Sequence, residues 1–389
     1  MYECIVIGIS DSRQQWFPPH VERLIAEGRV FSGGKRHHEI MRNRLPADAE
    51  WIDISVPLDR VFQQYEQHPK VVVFASGDPL FYGFAATIQR ECPSCRMQVY
   101  PTFNSLQMLA HRMCLPYQNL RAVSLTGRPW DKLDEALIRG EALIGVLTDQ
   151  HKTPQAVWRR MLEYGYNNYQ MTVGENLGNE ETERVGPYEV DRKYAIPNCL
   201  ILQRRQSRSH PFGIPENEFD LLDGRVNMIT KAPVRLLTLS ALQLGNHFCF
   251  WDIGFCTGSV SVEARLQFPH LNVEAFEIRP QCEELIHRNT RRFGVPGIKV
   301  HMGDFLQLDL SEIERPDAVF IGGHGGRLSE IVRRVQDVLL PGGILVFNSV
   351  SQESQQAFRK AVKSVGMHLQ SETRVVLDDH NPITIMSAI

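Results

Sequence analysis

The sequence predicts an α/β protein of two domains, and three observations carry that expectation. Short β-branched runs alternate with helical patterns through residues 1–203, as in stacked α/β layers. The stretch Arg204-Arg205-Gln206-Ser207-Arg208-Ser209-His210-Pro211-Phe212-Gly213 is polar and basic and closes on Pro and Gly, a linker composition. Residues 214–389 then run as one βα series around a glycine turn. The expected domains are 1–204, with lobes of about 1–115 and 116–204, and 214–389, with 205–213 joining them.

Composition bounds the function. The chain has 389 residues, enough for two or three domains, and is 43% hydrophobic and 22% charged, as in soluble globular proteins. A net charge of -3 gives no support for nucleic-acid binding, which normally needs a basic surplus. No apolar run approaches a membrane span, and the start of the chain reads as a first strand, not a signal peptide. A cytosolic location is expected. The eight cysteines are scattered, mostly in apolar runs (Cys4, Cys199, Cys249), and read as free buried thiols. Cys92, Cys95, His111 and Cys114 have the side chains for a zinc site. His111 and Cys114 lie, however, in a helical pattern with Leu106, Leu109, Ala110 and Met113, where core packing accounts for the cysteine. No metal is expected.

In the first half, residues 5–9 form a strand that ends at Ser10-Asp11-Ser12. Val30-Phe31-Ser32 leads into Gly33-Gly34-Lys35-Arg36-His37-His38, either a solvated helix start or an anion-binding loop where N–H groups and cations coincide. Residues 70–75 are the clearest strand and run into Ser76-Gly77-Asp78-Pro79-Leu80-Phe81-Tyr82-Gly83. A polar glycine loop at the carboxyl end of a buried strand is where open α/β sheets bind ligands. Residues 99–105 repeat that pattern. After Pro116, strands at 122–125 and 142–147 close on Thr126-Gly127-Arg128 and Thr148-Asp149, and residues 170–202 read as strands at 171–175, 182–185 and 195–202. A cleft between the two lobes is the expected ligand site.

In the second half, a helix over 233–244 precedes a buried strand at 249–253, the turn Gly254-Phe255-Cys256-Thr257-Gly258, and a helix start from Ser259. Such a helix points N–H groups and its positive dipole end at a ligand over the turn. The next strand ends at Glu277, placed like the ribose-binding acid of a nucleoside-binding βαβ unit. That pattern belongs to dinucleotide enzymes and to S-adenosyl-L-methionine (SAM) methyltransferases, and an ordinary βα turn that binds nothing shares it. Cys256 stands where a dinucleotide site wants its middle glycine. Asp252 favours SAM, because a carboxylate there can hold the ammonium of the methionyl group and would repel a pyrophosphate. Asp304, ending a further strand, is placed to accept from an adenine amino group. A strand over 317–321 reaches Gly322-Gly323-His324-Gly325-Gly326-Arg327, then come helix 328–339, Pro341-Gly342-Gly343, a strand at 344–348 and a last strand at 383–389. The series fits a Rossmann-like, seven-stranded (class I) SAM methyltransferase sheet.

Several of these segments also resemble a known family. Gly77-Asp78-Pro79-Leu80-Phe81-Tyr82-Gly83 resembles the motif of the tetrapyrrole methylases, a two-lobed (class III methyltransferase) fold. Gly33-Gly34-Lys35-Arg36-His37 and Ser124-Leu125-Thr126-Gly127-Arg128 resemble the branch that methylates carbon 5 of a corrin precursor. Gly213-Ile214-Pro215-Glu216-Asn217-Glu218-Phe219, Met228-Ile229-Thr230-Lys231 and residues 322–326 resemble the decarboxylating carbon-15 methyltransferases. The chain departs from the pattern at Ser10-Asp11-Ser12, where the family usually has glycines, at Thr126, Cys256 and His324.

The resemblance implies two SAM sites, two methyl transfers to ring carbons of a precorrin, loss of carbon dioxide from an acetate arm, and a homo-oligomer, with no nucleic-acid or membrane partner. Carried over residue by residue, it implies SAM binding by Gly77, Asp78, Pro79, Leu80, Ser105 and Asp149 in the first domain. In the second it implies SAM binding by Thr230, Gly254, Phe255, Cys256, Thr257, Gly258, Glu277 and Phe305, beside Asp252 and Asp304. A flat, carboxylate-rich substrate calls for cations on the rim. The candidates are Arg36, His37 and Arg128, then Arg225, Lys231, Arg235 and Arg327, each of which reads equally well as a surface charge. His324 is the candidate proton donor for decarboxylation, since an imidazole titrates near neutrality. The rival readings are another two-domain SAM enzyme, acting for example on RNA, and a binding protein in which one domain has lost catalysis.

Overall fold

The computed structural model describes residues 2–225, 228–377 and 381–389. The chain divides into two compact units, one of residues 1–128, 142–158 and 169–205, the other of residues 129–141, 159–168 and 206–389.

The first unit holds two sheets. Strands β1 (Glu3–Ile9), β2 (Val30–Gly33), β3 (Glu50–Asp53), β4 (Lys70–Ser76) and β5 (Arg96–Tyr100) form a parallel sheet in the order β3-β2-β4-β1-β5. Helices α1 (Pro19–Ala26), α2 (Lys35–Met41), α3 (Asp59–Tyr65) and α4 (Phe84–Glu91) lie among them in sequence. The central strands β1 and β4 are apolar almost throughout because both of their faces are buried. Helix α5 (Ser105–Arg112) packs elsewhere. Its face of Leu106, Leu109 and Ala110 joins the core of the second sheet, with Leu143, Cys199 and Ile201. That sheet is β6 (Arg121–Ser124), β7 (Leu143–Leu147), β8 (Tyr169–Glu175), β9 (Arg184–Pro187) and β10 (Asn198–Arg204), in the order β6-β7-β10-β8-β9 and largely antiparallel. Of the helices between these strands, α6 (Asp131–Ile138) groups with the second unit, as does the end of α7 (Pro154–Glu163).

The second unit is one seven-stranded sheet. Its elements are α8 (Ala232–Ala241), β11 (Cys249–Ile253), α9 (Ser259–Gln267), β12 (Asn272–Glu277), α10 (Gln281–Phe293), β13 (Ile298–Met302), β14 (Ala318–Ile321), α11 (Leu328–Val338), β15 (Ile344–Ser349), α12 (Gln352–Ser364), β16 (Leu369–Val375) and β17 (Ile383–Ala388). The order is β13-β12-β11-β14-β15-β17-β16, with β17 antiparallel to its neighbours. The chain reverses direction across the sheet between β11 and β14, which opens a crevice at their carboxyl ends. Among the described residues, no helix is long and apolar enough to cross a membrane.

Candidate active site

In the second unit a cavity of about 590 Å³ lies at that crevice. Gly254 follows β11 with φ +80, and a Cβ there would stand 2.6 Å from the Gly323 N atom, so glycine is required where the two loops touch. Phe255, Cys256 and Thr257 continue the lining, with Thr230 and Lys231 from the segment before α8. Cys256 takes a left-handed φ of 52, the conformation a glycine would hold without strain.

Asp252 is the last polar group of β11 to reach this cavity, and it is 1% exposed. Its Oδ2 accepts from the Ser261 hydroxyl at 2.6 Å and the Ser261 N–H at 3.2 Å. Its Oδ1 is buried with no hydrogen-bond partner among the described residues. Burial pushes the carboxyl up to about 7, against the pull of the Ser261 bonds. An unsatisfied buried oxygen costs free energy unless a ligand supplies the missing donor. A ligand ammonium is suited to that place.

The other two strand-end acids are engaged within the protein. Glu277 accepts from the N–H groups of Cys256 at 3.0 Å, Ile278 at 2.9 Å and Arg279 at 3.1 Å. The Arg279 guanidinium adds bonds of 3.0 and 2.7 Å. Burial works against its charge, but the Arg279 bonds win and hold the carboxyl below its ordinary value. Five donors exceed the roughly four lone-pair positions of a carboxylate. A ribose therefore reaches Glu277 only if the Arg279 side chain turns away, and Arg279 itself lines the cavity. Asp304 pairs with Arg327 at 2.7 Å, which lowers its pKa. Phe305 is buried in the core against Trp251 and Phe276. Gly258 caps α9, where a Cβ would strike Ile286. None of these four, Glu277, Asp304, Phe305 or Gly258, is among the cavity's lining residues.

The rim cations separate. Arg235 is corrected by the structure. It is fully buried, paired with Glu263 at 3.2 Å and bonded to the Thr230 and Ile214 carbonyls, and it is not among the cavity's lining residues. Lys231 lines the cavity. Arg225 pairs with Asp223 at 3.6 Å on the surface, and Arg327 is taken by Asp304. His324 follows the lining residues Gly322 and Gly323, but its ring lies 5.7 Å from Phe347 and outside the lining. Its Nδ1 accepts the Gly326 N–H at 3.1 Å, and burial lowers its pKa, which leaves it neutral and a weak acid at neutral pH. Asn348, on β15, lines the cavity and bonds Thr238 at 2.9 Å. Nothing in its local sequence marks it beyond its place at a strand end.

The first unit has its own cavity, about 490 Å³, lined from both sheets. Gly77 and Ser105 line it, with Asn104 capping α5 beside them. A Cβ on Gly77 would meet the Asn104 Cα at 2.8 Å, and one on Gly8 would fall 1.9 Å from the Gly77 carbonyl oxygen. Asp78 accepts the Leu80 N–H at 2.9 Å and so shapes the loop. Asp78, Pro79 and Leu80 are not lining residues, and Leu80 is exposed. Asp149 is likewise a loop organiser, accepting from Gly127, His151 and Lys152 N–H groups. Arg36 and His37 line the cavity, whereas Arg128 lies over the Tyr82 ring at 4.8 Å. The loop from Ser10 is held by Gln15, and its Ser12 hydroxyl and Arg13 N–H reach Glu180. Sequence reasoning missed the second-sheet wall, formed by Leu177, Asn198 and Cys199 among others. His111 packs between Phe103 and Tyr117, and no group of three or more metal-ligating side chains gathers among the described residues.

Two sheets bordering one cleft, followed by a seven-stranded sheet with a glycine crevice, define a two-domain methyltransferase. The comparisons agree. Residues 3–190 match the model of the tetrapyrrole (corrin/porphyrin) methylases, and residues 223–388 match the precorrin methyltransferase domain. The precorrin-6Y C(5,15)-methyltransferase (decarboxylating) of Sinorhizobium is 30% identical over 357 residues, covering 90% of this chain and 85% of that one. That of Mycobacterium tuberculosis is 29% identical over 94% of this chain and 92% of its own. A solved precorrin-6Y C5,15-methyltransferase structure from Geobacter metallireducens is 31% identical, covering 46% of this chain and 97% of that one with a TM-score of 0.42. The chain belongs to the precorrin-6Y C(5,15)-methyltransferase (decarboxylating) family, and it is an enzyme of methyl transfer.

Proposed function

We propose that the chain methylates precorrin-6B, or its cobalt form, at carbon 5 in the first unit and at carbon 15 in the second, with loss of the ring C acetate carboxyl, in cobalamin synthesis. The methyl donor in this reading is SAM, which supplies an already activated methyl group. The observation that carries the reading is the Oδ1 of Asp252, without a hydrogen-bond partner among the described residues, at a cavity whose wall excludes a Cβ at Gly254.

The chain's task is then mainly positioning, because alignment of carbon and methyl supplies most of the rate. Asp252 would hold the donor's ammonium. Residues 254–257, with Thr230, would set its place along the turn. In the first unit Gly77 and Ser105 would do the same. Arg36, whose Nε stands beside Asp11, and Lys231 line the two cavities and would meet substrate carboxylates. No nucleophilic side chain is required. Decarboxylation asks for an electron sink, which the conjugated ring itself is. A homo-oligomer in the cytosol fits this reading.

The test is incubation of the purified chain with precorrin-6B, metal-free or cobalt-loaded, and SAM. Mass spectrometry should show two methyls gained and one carboxyl lost. An unchanged mass with both macrocycles defeats the proposal. A salt-dependent shift of labelled RNA, with no change to the macrocycle, would favour the RNA reading.

A further inference from the structure

Ser76 is the last residue of β4, and it lines the first unit's cavity. Two donors converge on its hydroxyl oxygen. Arg36 Nη2 donates over 2.9 Å, and a guanidinium has no capacity to accept. Arg36 Nε lies 3.6 Å from Asp11, which anchors the other edge of the guanidinium. His37 Nε2 also stands 2.9 Å from the Ser76 oxygen. The direction of that contact follows from the far side of the ring. His37 Nδ1 accepts the Gly34 N–H at 3.2 Å, and a backbone N–H only donates. A ring nitrogen that accepts carries no proton, so in the neutral ring the proton sits on Nε2. Burial, helped by Arg36 and opposed by the Phe74 carbonyl, draws the His37 pKa down to about 4 and keeps the ring neutral. Ser76 therefore cannot give its own proton to His37 or to Arg36. Its oxygen is supplied from both sides, and no described residue accepts its O–H. The hydroxyl is fixed as a donor at the cavity wall.

We propose that Ser76 donates to a carboxylate of the ligand in this cavity, and that the carboxylate is a side chain of the tetrapyrrole. The inference rests on the reading above. The nearby guanidinium selects an anion over a neutral acceptor, since charge-assisted hydrogen bonds are roughly twice as strong as neutral ones. A carboxylate could also come from the methionyl end of SAM, and the test separates the two sources.

The full chain is compared with Ser76→Ala and Ser76→Thr, measuring carbon-5 methylation against tetrapyrrole concentration and SAM affinity by calorimetry. Ser76→Ala should raise the tetrapyrrole KM about tenfold and leave kcat within about twofold, as for loss of a hydrogen bond to a charged group. Ser76→Thr, which keeps the hydroxyl, should recover most of the loss, and SAM affinity should not change. The difference between Ser76 and Ala should shrink with the side-chain methyl ester of the substrate. A normal KM in Ser76→Ala overturns the inference. So does an equal loss in Ala and Thr, or a SAM affinity that falls in step with KM. A wild-type chain that adds no methyl at carbon 5 defeats the parent reading and this inference together, whereas an active wild type matched by Ser76→Ala defeats the inference alone.

Discussion

Asp252 has one oxygen satisfied by Ser261 and one with no hydrogen-bond partner among the described residues, buried at the cavity wall. The unfolded chain's aspartate titrates near 3.9, and burial lifts the folded value to about 7. Between those values the folded protein holds one proton more than the unfolded chain, so stability falls as pH rises through the window. Above it the carboxylate is charged and buried, and the penalty is complete. Asp252→Asn removes the penalty and also the charge that a ligand ammonium needs. The variant's second unit should melt about 2–4 °C above wild type at pH 8 for each kcal/mol recovered, with the gap closing toward pH 4. Its SAM affinity should fall about tenfold or more. Melts across pH and calorimetry check both, and unaltered SAM binding in the variant would remove Asp252 from the site.

Elements differ in how much of them the sequence discloses. The strands β1, β4 and β11 and the Gly254 turn were readable because their signals are local: apolar runs that end at glycine loops. Strand β16 was not, since Leu369–Val375 is polar, exposed and held at a sheet edge by pairing with β17. Arg235 on α8 illustrates the larger gap. A cation at a helix start reads as a surface charge, and only packing with α9 reveals Glu263 beside it. The engagement of Glu277 by Arg279 was hidden for the same reason, since neither side chain's partner is fixed by composition. Arg235→Ala should cost about 3–5 kcal/mol, because it leaves Glu263 buried without its counter-charge. Urea unfolding measures that loss. The tetrapyrrole KM of the protein that remains folded should be unchanged, and a specific rise in KM would return Arg235 to the substrate rim.

At the scale of the whole chain, composition marks residues 204–213 as a joint, yet the second unit also includes residues 129–141 and 159–168. Within that unit Ile138 shares a core with Ile214, Phe219 and Val262, Asp134 pairs with Arg160 at 2.6 Å, and the Tyr166 hydroxyl donates to the Gly294 carbonyl at 2.7 Å. A fragment of residues 206–389 lacks these partners and should melt below the corresponding transition of the full chain, as scanning calorimetry would register. The two chemistries should nonetheless separate by point mutation, because each unit carries its own cavity and its own indispensable turn. Gly77→Ala forces a Cβ to 2.8 Å from the Asn104 Cα at φ +63 and should disable the first turn alone. Its product should carry one added methyl and have lost its acetate carboxyl. Asp252→Asn should give the converse, one added methyl with the carboxyl retained. Mass spectrometry of the two products, sampled at early times with SAM held well below the weakened affinity of Asp252→Asn, reads the split directly, and loss of both methyls in either variant would mean that the two sites do not act independently.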